Sequence, residues 1–113
     1  MNAAGPNPNL AIPFVRAGAP IAEARMVGVL VHGRDQDEQL MLDVARRLAL
    51  PDVAYVLPVA AGNSWYLGRY FDPLAANQPH VDWALEAYES ALALATEAGV
   101  ADERVVLAGF SQA

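Results

Sequence analysis

At 113 residues the chain is long enough for one domain with a modest core, and a hydrophobic fraction of 55%, much of it alanine, excludes disorder along its whole length. The absence of cysteine excludes disulfides, thiolate metal sites and a cysteine nucleophile, while a formal net charge of −6, with seven arginines and no lysine, argues against a nucleic-acid partner. No apolar run reaches the ~18 residues of a membrane span, and Met1–Pro8 lacks the basic-then-apolar pattern of a signal peptide, so a cytoplasmic location is expected.

Residues 1–9 are mainly Asn, Ala, Gly and Pro and read as a flexible N-terminal arm ahead of a domain over 10–113. Leu10–Arg16 has the composition of a first strand, which Pro13 restricts to a sheet edge. Gly18-Ala19-Pro20 turns the chain towards Met26–Val31, an unbroken apolar run that reads as a strand buried on both faces. Asp35 and Glu38 have capping-box spacing for a helix in which Leu40, Val44 and Leu48, with Met41 and Ala45 beside them, give one apolar stripe. Arg46 and Arg47 suit the negative end of that helix, and Pro51 stops it.

Val53–Leu57 is the next predicted strand. Ala60–Asn77 is a long connection carrying Asn63, Trp65, Tyr66, Tyr70 and Phe71, and loops of that length in a compact domain are often functional. From Pro79 a helical pattern returns, with Val81, Leu85, Tyr88, Leu92 and Ala95 on one face and Gly99 as its C-terminal stop. Asp102-Glu103 then turns into a last strand, Arg104–Ala108. Strand, helix, strand, helix, strand is a βαβαβ unit, which places the chain in the α/β class with a parallel sheet and right-handed crossovers.

The last strand runs into Gly109-Phe110-Ser111-Gln112-Ala113, one residue away from Gly-x-Ser-x-Gly. In that elbow a strand turns sharply into a helix and presents a serine at the turn, so Ser111 is the candidate nucleophile. Trp65 and Tyr66 stand beyond the strand ends, where a substrate pocket would form; packing is the competing role for such aromatics. His32 and His80 are far apart with no carboxylate at ligand spacing, so no metal site is indicated. The acidic cluster Asp35, Asp37 and Glu38 is explained by the positive end of a helix dipole rather than by a cation. A nucleotide-binding α/β domain is disfavoured, because no Gly-rich loop follows the first buried strand.

Taken in order, Val29-Leu30-Val31-His32-Gly33-Arg34, Ala61-Gly62-Asn63-Ser64-Trp65-Tyr66 and Val105-Val106-Leu107-Ala108-Gly109-Phe110-Ser111-Gln112 resemble the phospholipase/carboxylesterase family of α/β-hydrolases, which includes the acyl-protein thioesterases. The resemblance runs from about Leu10 to Ala113 and corresponds to the N-terminal half of the family's fold. It implies an incomplete α/β-hydrolase sheet in which Met26–Val31 lies between Val53–Leu57 and Arg104–Ala108. The loop after Val31 and the elbow after Ala108 would then share one sheet edge.

The resemblance further implies cofactor-free hydrolysis of a small-molecule or lipid ester, or of a thioester. Ser111 would attack, and the backbone N–H groups of Arg34 and Gln112 would form the oxyanion hole. His32 would shape the oxyanion loop with its ring tied to backbone. Asp35 stands where the family's His-Gly-x-Gly loop has its second glycine, and Ala113 where the elbow has its last. The family's aspartate and histidine follow the serine in the chain, so the 113 residues by themselves are expected to be inactive. The alternative is a truncated, non-catalytic binding or interaction module. In either case the uncovered edge strand Arg104–Ala108 is expected to favour self-association.

Overall fold

A computed structural model describes residues 5–113. Its centre is a four-stranded mixed sheet of β1 (Val15–Gly18), β2 (Met26–Val31), β3 (Val53–Leu57) and β4 (Val105–Gly109), in the order β1-β3-β2-β4. β2 pairs in parallel with both β3 and β4, and β1 runs antiparallel along β3 at the edge. This is the α/β sheet expected from the sequence, with β2 between β3 and β4 as the resemblance implied.

The β2 and β3 runs are continuous because each strand feeds two cores. Val27, Val29 and Val31 of β2 and Ala54 and Val56 of β3 project to one face, where α2 (His80–Glu97) covers them. Leu30, Val53, Tyr55 and Leu57 project to the other, against α1 (Gln39–Leu48). Side chains alternate along a strand, so a sheet covered on both faces needs apolar residues at every position. Each fully buried valine or leucine contributes about 1.5–3 kcal/mol.

Both helices bury only part of the face the sequence predicts: Met41 and Ala45 in α1 and Ala95 in α2 are buried as expected, and the larger residues are not. In α1 the buried residues are Met41 and Ala45, whereas Leu40, Val44 and Leu48 lie towards solvent, Leu48 at 51% exposure. In α2 the sheet-facing stripe is Ala84, Ala87, Ala91 and Ala95; Leu85 is half exposed, and Tyr88 and Leu92 flank the contact. The strands supply the bulk and the alanines let the α2 backbone approach them closely.

Local corrections follow the same logic of competing partners. The capping box does not form: Asp37, not Asp35, accepts the Gln39 N–H at 2.9 Å, and Glu38 makes no side-chain cap. α1 ends at Leu48, ahead of Pro51, where Ala49 adopts a left-handed conformation. The first strand begins after Pro13, and Pro8–Ala11 forms a single 3-10 turn instead. Residues 1–4 of the expected arm lie outside the described residues. Asn7 and Asn9 are anchored rather than loose: Asn7 Nδ2 donates to the Trp83 carbonyl at 2.7 Å, and Asn9 Oδ1 accepts the Ala61 N–H at 2.8 Å.

Candidate active site

The parallel register puts Val31 opposite Gly109, so β2 and β4 end side by side. The Phe110 N–H extends the ladder by donating to the Val31 carbonyl at 3.1 Å. The chain then turns at once: Ser111 adopts φ 56°, and the Ala113 N–H closes back on the Phe110 carbonyl at 3.3 Å. A left-handed serine at the tip of a strand is a strained, exposed presentation of its hydroxyl.

Close approach dictates small residues on both sides of this turn. A Cβ on Gly109 would stand 2.6 Å from the Ala113 methyl, so alanine is accepted at 113 because residue 109 is glycine. A Cβ on Gly33 would stand 3.0 Å from the Phe110 carbonyl, so glycine lets the loop after β2 lie against the elbow. Asp35 adopts φ 58° and donates its N–H to the Asn63 carbonyl at 2.8 Å. Aspartate here retains a glycine-like backbone, since its short side chain tolerates the left-handed region.

His32 is buried, and both of its ring nitrogens are engaged. Nδ1–H donates to the Gly33 carbonyl at 2.8 Å, while Nε2 accepts the Ala60 N–H at 3.0 Å, which assigns the tautomer. Neither nitrogen is left to take a proton from Ser111. The imidazole is a strut between two loops. His80, at the start of α2, packs edge-on against Trp83.

Trp65 does not line a substrate pocket. It is 1% exposed, stacks on His32 at 5.0 Å between ring centres, and meets Tyr88 edge-on at 5.0 Å. Its indole N–H donates to the His32 carbonyl at 2.8 Å. An indole with its polar edge satisfied and both flanks packed is a core residue. Tyr66, the next residue, does border the cleft.

Two side chains clamp the segment that follows. Gln112 accepts the Trp65 N–H at 2.9 Å through Oε1 and donates to the Tyr66 carbonyl at 2.7 Å through Nε2. The Arg34 guanidinium reaches the carbonyls of Tyr66 at 2.9 Å and Leu67 at 3.2 Å, and also that of Gly68. Asn77, buried, holds the loop from behind by accepting the Gly68 N–H at 2.7 Å and donating to the Arg69 carbonyl at 3.0 Å. The residues assigned to the oxyanion hole thus also hold the loop in place. Among the described residues, the backbone N–H groups of Arg34 and Gln112 have no acceptor.

Ser111 opens on a cleft of about 560 Å³ bordered by Arg34, Tyr66, Arg69, Tyr70 and Phe71. A cavity of similar size, about 590 Å³, lies at the other end of the sheet between β1 and the end of α2. That second cavity has no serine or histidine in its wall, so chemistry rather than volume selects the cleft at Ser111. The sequence signal for Arg69, Tyr70 and Phe71 was the aromatic content of an overlong loop. Nothing local marked Arg34 or Gln112 as side-chain clamps.

Among the described residues no group of three or more His, Cys, Asp or Glu side chains is arranged to hold a metal ion, and no helix is long and apolar enough to cross a membrane. No protein-family model matches the chain, and no curated protein is significantly similar to it. Solved structures are similar. A phospholipase/carboxylesterase from Dyadobacter fermentans superposes with a TM-score of 0.84 at 31% identity, covering 88% of this chain and 48% of that one. The esterase PE8 superposes with a TM-score of 0.65 at 25% identity, covering 89% of this chain and 54% of that one. The chain spans about half the length of these structures. With a β4 that ends in an elbow beside the loop after β2, the chain has an incomplete α/β-hydrolase-like fold, similar over most of its length to about half of a phospholipase/carboxylesterase and of an esterase.

Proposed function

We propose that these residues carry the nucleophile half of a serine hydrolase acting on carboxylic esters or thioesters. The observation that carries the reading is Ser111 at φ 56° on the turn that leaves β4, beside the loop that leaves β2. Ser111 Oγ attacks the substrate carbonyl carbon and passes its proton to a base. The carbonyl oxygen takes the negative charge and is stabilised by the Arg34 and Gln112 N–H groups. Collapse expels the alcohol or thiol, which takes up the proton, and water then releases the acyl group from serine. Removing one oxyanion donor in such sites costs about 10²–10³ in turnover.

Among the described residues neither histidine is placed as a base for Ser111: both nitrogens of His32 are engaged, and His80 packs edge-on against Trp83. Turnover by this chain alone is therefore expected to be negligible. The acid and base of the family follow the serine in sequence.

The test begins with the coding sequence beyond codon 113. A frame that continues to an aspartate and a late histidine should encode a protein that hydrolyses p-nitrophenyl esters and reacts with a fluorophosphonate probe. Ser111→Ala should abolish both. Labelling that survives this substitution would identify another nucleophile and end the proposal.

A second reading, a non-catalytic interaction module, is favoured by one feature. Val106 and Leu107 point to opposite faces of β4 and are 47% and 53% exposed, and Phe110 beside them is half exposed. A stop at codon 114, with a sedimentation mass that rises with concentration, would support self-association through that strand. A monomer at all concentrations would exclude it.

A further inference from the structure

The cleft at Ser111 has an unusual charge for this molecule. The chain carries a formal charge of −6 from thirteen acidic residues against seven arginines, yet two of the seven arginines border the cleft and no carboxylate does. Among the described residues the ion pairs are Arg25–Asp52 and Arg46–Asp43, both elsewhere. Arg34 is held by three backbone carbonyls, which fix its direction without cancelling its charge. Arg69 lies over the Phe71 ring, 5.2 Å from its centre. The nearest acid on the same loop, Asp72, is turned to the backbone, where it accepts the Arg69 N–H at 2.8 Å. Three aromatic residues share the wall, Tyr66, Tyr70 and Phe71, the last two packed edge-to-face at 5.2 Å.

Resting on the hydrolase reading and deepening it, we propose that this cleft selects esters bearing a second, negatively charged group, held by Arg69 with support from the charge of Arg34. A neutral ester would meet two guanidinium groups with no carboxylate among the residues that line the cleft. An anionic one pairs with them directly, while its apolar segment lies against Tyr70 and Phe71. A guanidinium already stacked on an aromatic ring loses little freedom when it pairs with a carboxylate or phosphate.

Two nearly isosteric probes test this without catalysis. Monomethyl glutarate and methyl valerate differ in one terminal carboxylate, and each is titrated into the 113-residue chain while the arginine side-chain NMR signals are followed. The glutarate ester is expected to bind about tenfold more tightly, the scale of one charge-assisted hydrogen bond at a partly exposed site. The preference should shrink with added salt. Arg69→Gln should remove it, and Arg104→Gln, on the far end of β4, should leave it in place. Equal binding of the two esters, or a preference that survives Arg69→Gln, overturns the proposal. Loss of the hydrolase reading has a different signature: fluorophosphonate labelling that persists in Ser111→Ala, whatever the two esters do.

Discussion

Asp35, Ala49, Asn63 and Ser111 all adopt a left-handed backbone without being glycine. Asp35 and Asn63 tolerate it through short polar side chains, and their backbones bond to each other where the two loops meet. Ser111 sits at the elbow, where strain at a functional turn is expected. Ala49 has no such reason. It closes α1 by donating its N–H to the Ala45 carbonyl at 3.3 Å, a position that favours glycine. The left-handed conformation costs an alanine roughly 1–2 kcal/mol, and glycine returns part of that gain as unfolded-state entropy. Ala49→Gly is therefore expected to stabilise the chain by about 0.5–1 kcal/mol and raise Tm by about 2–8 °C. Thermal unfolding followed by circular dichroism measures it, and an unchanged or lower midpoint would mean that Ala49 is not strained.

Among the elements, the strands were the most legible. Met26–Val31 and Val53–Leu57 are observed with the bounds read from the sequence, because a strand buried on both faces leaves an unbroken apolar run. The helices were located, but their buried faces were read only in part: Met41, Ala45 and Ala95 are buried as expected, whereas the larger residues taken with them are not. Valine side chains from the sheet already fill the space under α2, and only alanine fits between them and the helix. Ala91, fully buried in that stripe, tests this view. Ala91→Leu should cost about 1–3 kcal/mol by overpacking, whereas Leu85→Ala, at a half-exposed position, should change stability by no more than about 0.5 kcal/mol. Urea unfolding of the two variants separates the readings. If Leu85→Ala were the more damaging, the face predicted from Val81, Leu85 and Tyr88 would be the buried one.

At the scale of the whole molecule, the site is held by contacts that no local pattern encodes. Arg34 reaches Leu67 across 33 positions and Gln112 reaches Trp65 across 47, so their roles as clamps follow only from the strand order. The same network ties the site to the global fold. Trp65 stacks on His32 and meets Tyr88 of α2, so the loop beside Ser111 and the α2 core share one buried aromatic cluster. Burial pushes the Tyr88 phenol well above its usual range, and the neighbouring Tyr66 adds to the shift. Ionisation is thus disfavoured in the folded state relative to the unfolded chain, whose tyrosines titrate near pH ~10. The stabilisation is fully present below that pH and is lost as the pH rises above it. There the unfolded state sheds a proton that the folded state keeps, and stability falls by at most about 1.4 kcal/mol per pH unit, less for a ring that is only part-buried. Melting at pH 9 and pH 11 should show a drop in Tm that Tyr88→Phe reduces, with Trp65 fluorescence, read in a Trp83→Phe background, changing over the same transition. A variant that melts with the same pH dependence as the parent chain would exclude Tyr88 as its source. If Trp65 instead responded at a lower temperature than the helices, the site loop would unfold independently of the α2 core.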